Sequence, residues 1–330
     1  MRIRKALPAD RPALFALWND SCLSGEVVYK PLNDEAFARL FERNPNYDGT
    51  YDFVCEENGE IVGFITGAEK KEFLPGETRE NTPGYLTAIF VRPDMRRRGI
   101  GGALLAALED AFRAAGKKSF VSSGNNPVNL PWFIPGTPGH DHNNAPGTDV
   151  DCAGYPFLLK YGYADAHREV SMYLNLKDYK YRPEVEATRQ RLLSEGIYTG
   201  RYDVSLQCEF DGMCDRVGSE YWRKVLQDET TAAHPRVILA GVYQNHIIGF
   251  TGPVDREPSG RGWFTGICVD PLYGQRGVAT VLFNDLMREF IKEGAQFSTL
   301  FTGIDNHAQR LYRHTGFEVR RTFAIMKKEA

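Results

Sequence analysis

The sequence predicts an α/β (α+β) protein made of two tandem copies of one domain, and three observations carry that expectation. The first is a gapless internal match: LTAIFVRPDMRRRGIGGALL, from Leu86, aligns with FTGICVDPLYGQRGVATVLF, from Phe264, every pair 178 positions apart. Thr87 pairs with Thr265, Val91 with Val269, Pro93 with Pro271, Arg98 with Arg276, Gly99 with Gly277 and Leu104 with Leu282. The second is that flanking blocks keep the same order. GEIVGF (59 to 64) resembles NHIIGF (245 to 250), and LLKYGY (158 to 163) resembles YRHTGF (312 to 317). The third is length, since 330 residues suffice for two hydrophobic cores of ordinary size.

The offsets between blocks locate the differences between the copies. Gly63 and Gly249 are 186 apart, so copy one carries 8 more residues before its glycine loop; Gly162 and Gly316 are 154 apart, so it carries 24 more after it. These offsets divide the chain into a first domain at 1–176 with an inserted loop at about 125–154, a linker helix at 177–196, and a second domain at 197–330. Within the linker, Pro183 stands at a first helical turn and Gly196 past the end of EVEATRQRLLSEG, the usual punctuation of a helix.

Each copy repeats one local pattern. An apolar, β-branched run, LTAIFV or FTGICV, reads as a buried strand closed by a proline that donates no ladder hydrogen bond. A helix follows the glycines. Ile100, Leu104, Leu108 and Phe112 recur every four residues, as do Val278, Leu282, Leu286 and Phe290, and Gly116 and Gly294 suit the C-terminal caps. The insertion, rich in Pro, Gly and Asn, is too long for an ordinary connection, so Trp132, Phe133 and Ile134 are placed in a lid or a packing surface.

Composition narrows the chemistry. With 42% hydrophobic and 25% charged residues and a formal net charge of -3, neither a disordered chain nor a strongly basic nucleic-acid binder fits. The start MRIRKALPADRPALFALWND is broken by Pro8 and Pro12 and makes no secretory leader, and no run reaches membrane-spanning length. Six scattered cysteines without a CxxC pair read as reduced thiols, and the expected compartment is the cytoplasm. His140, Asp141 and His142 alternate in a polar loop without a third ligand, so no metal is expected.

The glycine loops direct attention to an anion. The first turn of a helix leaves backbone N–H groups unpaired and carries partial positive charge. Glycines at 99, 101 and 102 let a phosphate approach, and Arg96, Arg97 and Arg98 add charge and paired donors. A P-loop requires a lysine after its second glycine, and a dinucleotide loop requires GxGxxG; neither copy matches. The ligand is expected to be a phosphate ester.

The pattern V-x-P-x-x-R-x-x-G-x-G, present as Val91, Pro93, Arg96, Gly99 and Gly101, resembles the acetyl-CoA signature of the GNAT superfamily of N-acyltransferases. Copy two matches as Val269, Pro271, Gly277 and Ala279, with Gly274 where Arg or Gln is usual. NHAQRLYRHTGF (306 to 317) is similar to the family's later motif, and IRKALPADRPALFALWN to its usual first strand and helix. The resemblance implies, in each copy, a mixed and mostly antiparallel sheet flanked by helices, splayed open beside the strand that ends at Val91 or Val269. Acetyl-CoA is the implied co-substrate, its pantetheine in the cleft and its pyrophosphate at the glycine loop.

Carried over by position, the cofactor contacts of copy one are Ile89, Phe90, Val91, Arg96, Arg97, Arg98, Gly99, Ile100, Gly101 and Gly102. Those of copy two are Ile267, Cys268, Val269, Gln275, Arg276, Gly277, Val278, Ala279 and Thr280; Asn306 either joins them or caps its helix. Tyr312 falls where family members protonate the leaving thiolate, whereas the same count back from Gly162 in copy one reaches Leu158, which has no proton to give. Tyr155 and Tyr161 lie three residues out of register. The second copy is therefore the expected catalyst, transferring acetyl to an amine of a small molecule or peptide, in a monomer or homodimer that binds neither nucleic acid nor membrane. Activity in copy one, a non-catalytic acyl-CoA sensor and an aminoacyl transferase remain alternatives. Cys268 beside the expected thioester is either a small core residue or an acyl acceptor, and Trp263, Asp255 and Glu257 are placed where substrate gathers.

Overall fold

The structure is a computed structural model; it describes residues 1–74, 76–133 and 141–330, with the side chains of Asp141, Asn143 and Asn144 left aside. Two compact units are present. The first comprises residues 1–171, 301–305 and 320–330, and the second comprises 172–300 and 306–319.

In the first unit, β1 (Arg2–Lys5), β2 (Phe53–Glu57), β3 (Glu60–Ala68) and β4 (Gly84–Val91) form successive antiparallel neighbours. Side chains alternate across this sheet, so each strand supplies two cores. Val54, Phe64 and Phe90 pack with Leu17 and Trp18 of α1 (Arg11–Leu23) and, through Phe41, with the segment after α2 (Asp34–Phe37). Cys55, Ile65 and Leu86 pack with Leu104, Leu108 and Phe112 of α3 (Ile100–Ala114). Each such fully buried side chain contributes about 1.5–3 kcal/mol of transfer free energy.

β5 (Ser119–Ser122) lies parallel to β4 but pairs with it only at Gly84↔Phe120 and Tyr85↔Val121, after which the strands part. The insertion contributes β6 (Pro131–Phe133), β7 (Asp141–Asn144) and β8 (Thr148–Asp149), and is followed by α4 (Gly154–Lys160) and β9 (Ala164–Asn175). Trp132 is fully buried against Phe323 and Val28, so this part of the insertion is a small core of its own; Ile134 and His140 lie outside the described residues.

The second unit repeats the arrangement after the helix α5 (Pro183–Ser194). Its strands β10 (Tyr198–Arg201), β11 (Leu239–Tyr243), β12 (His246–Thr251) and β14 (Ile267–Val269) are antiparallel in that order, with α6 (Asp211–Val217) and α7 (Glu220–Thr231) between β10 and β11. β13 (Arg261–Trp263) runs parallel to β15 (Phe297–Gly303), with Gly262↔Ser298 and Trp263↔Thr299 as partners. These are the β4–β5 partners displaced by 178 residues in both strands. The bulge after Cys55 recurs after Gly241, and Gly63↔Val91 recurs as Gly249↔Val269. α8 (Val278–Lys292), α9 (Gln309–Thr315) and β16 (Glu318–Glu329) complete the elements.

Two features differ from the sequence expectation or were invisible to it. FTGICV is not one strand: Phe264, Thr265 and Gly266 leave the ladder between β13 and β14. Gly266 takes φ 136°, the Trp222 ring stands 2.5 Å from where its Cβ would be, and Thr251 Oγ1 donates to its carbonyl at 2.7 Å. Thr265 Oγ1 donates to Gly252 O at 2.6 Å, so side chains take over part of the ladder's hydrogen bonding. The other feature is that the end of β16 belongs to the first unit, where Met326 to Glu329 pair antiparallel with Ser122 to Ser119 of β5.

Close helix–sheet contact explains four glycines. A Cβ on Gly84 would lie 2.5 Å from the Phe112 ring, and one on Gly262 would lie 2.5 Å from Phe290. A Cβ on Gly63 would meet Ile100 at 3.3 Å, and one on Gly249 would meet Val278 at 2.9 Å. The bare strands let α3 and α8 sit low on their sheets, which fixes where the helix N-termini emerge.

Candidate active site

The two glycine loops have the same backbone course. The chain enters the left-handed region at Arg97 (φ 62°) and Gly99 (φ 86°) before α3, and at Gln275 (φ 60°) and Gly277 (φ 88°) before α8. Arg97 and Gln275 carry side chains in a conformation that costs about 1–3 kcal/mol, which the surrounding turn must overcome. The loops therefore hold a defined shape. Each loop opens a 15-residue helix whose first N–H groups have no partner within the helix, and Thr188 stands 2.6 Å from where a Cβ on Gly277 would be.

The side chains around the loops differ. Arg96 is already engaged, with its guanidinium paired to Glu26 at 2.6 and 2.8 Å and its Nε donating to Val91 O at 2.9 Å. Arg97 and Arg98 are exposed. In the second unit Arg276 is exposed, 3.8 Å from Glu195, and Arg191 of α5 donates to its carbonyl. Asp270 forms an ion pair with Arg216 and accepts from Leu272 N at 3.0 Å, tying the end of β14 to the loop that follows. Burial opposes ionisation of Asp270, but the hydrogen bonds from Arg216 prevail and hold its carboxyl below the usual range.

Gly101 and Gly102 have a second reason to be glycine. The Phe157 ring lies 3.1 Å from the Cβ position of Gly101, and the Tyr161 hydroxyl lies 2.1 Å from that of Gly102. Tyr161 thus reaches back from the end of α4 to the first turn of α3. Tyr155 is turned away, donating to Asp165 at 2.9 Å and accepting from Arg168 at 2.8 Å, and Leu158 is buried in the core as a packing residue.

Among the described residues the edge of β4 beyond its two pairs with β5 has no strand partner at 87–90, Leu86 O being taken by Asn126 at 3.2 Å and Val91 O by Arg96 at 2.9 Å, and β14 (267–269) has a strand partner on one side only. Ile89 and Val91, like Ile267 and Val269, are half-buried there, while Phe90 packs on Trp18 at 5.0 Å. Free strand edges of this kind can pair with the amides of an extended ligand. Cys268 is buried in the core with Phe250 and Trp222, and burial pushes its thiol up to about 12, so it is a poor nucleophile.

Tyr312 is a buried residue of α9. Its ring touches Phe264, the first residue beyond the β13–β15 pairing, at 5.9 Å between centroids, and Phe283 of α8 at 5.1 Å. The side chain is buried, and desolvation alone pushes its hydroxyl up to about 12. Such a phenol stays protonated at neutral pH and can serve as an acid. Asn306 Oδ1 accepts from Ala308 N at 2.9 Å, which makes it part of the turn that starts α9. Glu257 is held by Arg261 at 2.7 Å and Asp255 lies 3.4 Å from Arg236, so both carboxylates already have cationic partners; Trp263 is exposed.

In the first unit a small depression open to solvent lies where β4 and β5 part, lined by Leu86 and Thr87, Ser122 and Ser123, Tyr29, and the insertion residues Asn126, Val128, Asn129, Leu130, Ala145 and Gly147. None of these stood out in the sequence except as members of the insertion. Glu26, Phe157 and Arg216 also went unnoticed, because nothing local marks a residue whose role is to meet a distant loop. Among the described residues no group of His, Cys, Asp and Glu could hold a metal ion, and no helix is long and apolar enough to cross a membrane.

Glycine loops of one backbone course, each opening a 15-residue helix beside a strand edge, occur once in each unit. The family model of the GNAT acetyltransferases matches residues 12–131 and 205–317, and the chain belongs to that family as a tandem N-acetyltransferase. Among relatives, an aminoglycoside N(6')-acetyltransferase type 1 of Stenotrophomonas maltophilia is 29% identical over 124 residues, 36% of this chain and 72% of that protein. The peptidyl-lysine N-acetyltransferase YiaC of Escherichia coli is 30% identical over 103 residues, 31% of this chain and 61% of its own. Solved structures share the fold across both units. A tandem GNAT protein from the clavulanic acid biosynthesis pathway matches 99% of this chain and 98% of its own at TM-score 0.53 and 16% identity. A glucosamine N-acetyltransferase region in a fungal multi-domain GH3 β-N-acetylglucosaminidase matches 99% of this chain and 38% of its own, at TM-score 0.64 and 17% identity.

Proposed function

We propose that this protein transfers an acetyl group from acetyl-CoA to an amine of a small molecule or peptide by direct attack, with the second unit as the catalyst. The observation that carries the reading is Tyr312, a buried, protonated phenol of α9 packed on Phe264 just before β14 and in line with the family motif. The residues present suit the co-substrate. The N–H groups at Gly277, Val278 and Ala279, with Gln275, Arg276 and Thr280 beside them, would hold the pyrophosphate. The free edge at Ile267, Cys268 and Val269 would take the pantetheine amides. Tyr312 would then give its proton to the departing sulfur as the neutral amine displaces it, which keeps charge from building on the thiolate.

The relatives, which include an aminoglycoside acetyltransferase and a peptidyl-lysine acetyltransferase, support an amine as acceptor. A cytoplasmic setting and a monomer or homodimer complete the proposal. Copy one keeps a second reading, in which Arg97, Arg98, Gly99, Ile100, Gly101 and Gly102 also bind acetyl-CoA, favoured by the identical loop course; Leu158 argues against catalysis there. Calorimetric titration with acetyl-CoA separates these readings. Arg276→Glu removes the only binding event if the second loop alone is live, and one of two events if both are, with Arg98→Glu removing the other. Binding untouched by Arg276→Glu refutes the assignment to the second unit.

A further inference from the structure

We propose that the linker helix α5 is a working part of the second glycine loop, with Arg191 as a positioning residue that holds the Arg276–Gly277 peptide ready for an anionic ligand. The inference rests on the reading of that loop as the pyrophosphate site, and it adds to the site a residue that no motif marks.

α5 carries two faces at helical spacing. Val185, Arg189 and Leu192 share the inner face, where Val185 and Leu192 are buried. Arg189 grips Asp285 of α8 with both Nη atoms, at 2.6 and 2.9 Å, and donates to Thr199 O at 2.9 Å. Tyr179, just before the helix, donates to Asn284 O at 3.0 Å. Paired, charge-assisted bonds of this kind are directional, so α5 keeps one register on α8. At the positions of Asn284 and Asp285, 178 residues earlier, α3 has Ala106 and Ala107, which offer no such anchor.

The neighbouring face, with Thr188, Arg191 and Glu195, reaches the loop. Thr188 Oγ1 donates to Glu184 O at 2.8 Å, and its Cγ2 stands 2.6 Å from where a Cβ on Gly277 would be. Arg191 Nη1 pairs with Glu195 at 2.7 Å while its Nη2 donates to Arg276 O at 2.5 Å, and Glu195 lies 3.8 Å from the Arg276 guanidinium.

The geometry of a peptide gives that carbonyl contact its meaning. In a trans peptide such as Arg276–Gly277 the C=O and N–H point in opposite directions, so the guanidinium that holds Arg276 O toward α5 directs the N–H of Gly277 away from α5. A cation on the carbonyl also polarises the peptide and strengthens its N–H as a donor. Arg191 thereby aims one of the N–H groups that an anion at this helix N-terminus would use, and adds positive charge behind it. The residues on either side of Arg276 hold left-handed backbone, Gln275 at φ 60° and Gly277 at φ 88°. A turn that includes a non-glycine residue in this region persists only when its surroundings enforce it, and α5 supplies two of the enforcing contacts, at Thr188 and Arg191.

The test compares the intact wild-type protein with Arg191→Met, Arg191→Lys and Arg276→Glu. Two quantities are read: calorimetric affinity for acetyl-CoA, and hydrogen exchange of the amides at 275–279 without ligand. The Arg191 side chain is 49% exposed, and exposed ion pairs add little to stability, so the Arg191 variants should melt within about 2 °C of wild type. Arg191→Met is expected to weaken binding at the second loop by about tenfold and to speed exchange at 277–279 by about tenfold, with exchange in β11 and β12 unchanged. In steady-state kinetics with a reactive amine it should raise KM for acetyl-CoA and leave kcat within about twofold. Arg191→Lys keeps a charged donor and should return affinity to within about threefold of wild type. The proposal is overturned if Arg191→Met binds as tightly as wild type, or more tightly, since α5 would then be a cover over the loop. It is equally overturned if affinity falls while exchange is unchanged, or if Arg191→Lys is as weak as Arg191→Met. Binding that survives Arg276→Glu is a separate result: it refutes the underlying reading of the second loop, and the proposal with it.

Discussion

Replacing Tyr312 with phenylalanine removes one buried oxygen and leaves the packing intact. The ring keeps its contacts with Phe264, Phe283 and Phe317, and burial is what raises the hydroxyl. Truncating such a group is close to neutral for stability. The consequence for catalysis is larger. Loss of a positioned general acid costs about 10² to 10⁴ in rate, or roughly 3–5 kcal/mol in the barrier. Steady-state kinetics with acetyl-CoA and a reactive amine, beside calorimetric affinity for acetyl-CoA, separates the two effects: kcat should fall by at least about a hundredfold while affinity stays within about twofold. A pH dimension adds a second check. The hydroxyl is raised from 10 to about 12, so the neutral form is favoured in the fold, and that preference is present below pH 10 and lost as pH rises through 12. Wild type should lose about 3 kcal/mol across that window that Tyr312→Phe keeps. A variant that turns over at the wild-type rate refutes the role of Tyr312 as acid.

Three further outcomes test the scaffold. Gly262→Ala forces a methyl to 2.5 Å from the Phe290 ring, and Gly84→Ala does the same against Phe112, so each should cost about 1–3 kcal/mol, read as a lower denaturation midpoint; an unchanged midpoint would mean the helices are not seated by these glycines. Gly102→Ala should expel the Tyr161 hydroxyl and destabilise, with most of the loss recovered in Gly102→Ala/Tyr161→Ala; additive losses would show that the two do not meet. Asp270→Asn should be less stable than wild type near neutrality, because the ionised carboxylate holds Arg216. The carboxyl's ionisation is lowered in the fold, so this contribution is present above about pH 4 and fades below it, and thermal melts should converge on acidification. A gap that persists into acid would place the effect elsewhere.

Much of the fold was legible because the chain states it twice. An offset of 178 between two strand–loop–helix segments is a statement about backbone shape, and it returned as identical strand partners, matching left-handed residues and helices of equal length. Tyr312 could be found by counting back from Gly316, since helical spacing fixes which face a residue takes. The breaks could not be read this way. Gly266 leaves the ladder because Trp222, 44 positions earlier, stands where a side chain would go, and Arg96 is occupied because Glu26 comes to it from another loop.

What the sequence determined by itself is the local grammar: two strands closed by a proline, two glycine turns, two amphipathic helices and one tyrosine in register. Short-range sterics and periodicity suffice for these. Only the tertiary structure decided that the final residues, 320–330, belong with the first unit, that Phe157 and Tyr161 fill the space above Gly101 and Gly102, and that insertion residues line the depression where β4 and β5 part. Those outcomes depend on which distant surfaces meet. β5 must satisfy its backbone hydrogen bonds with some neighbour, and which strand meets that requirement rests on the packing of the whole chain.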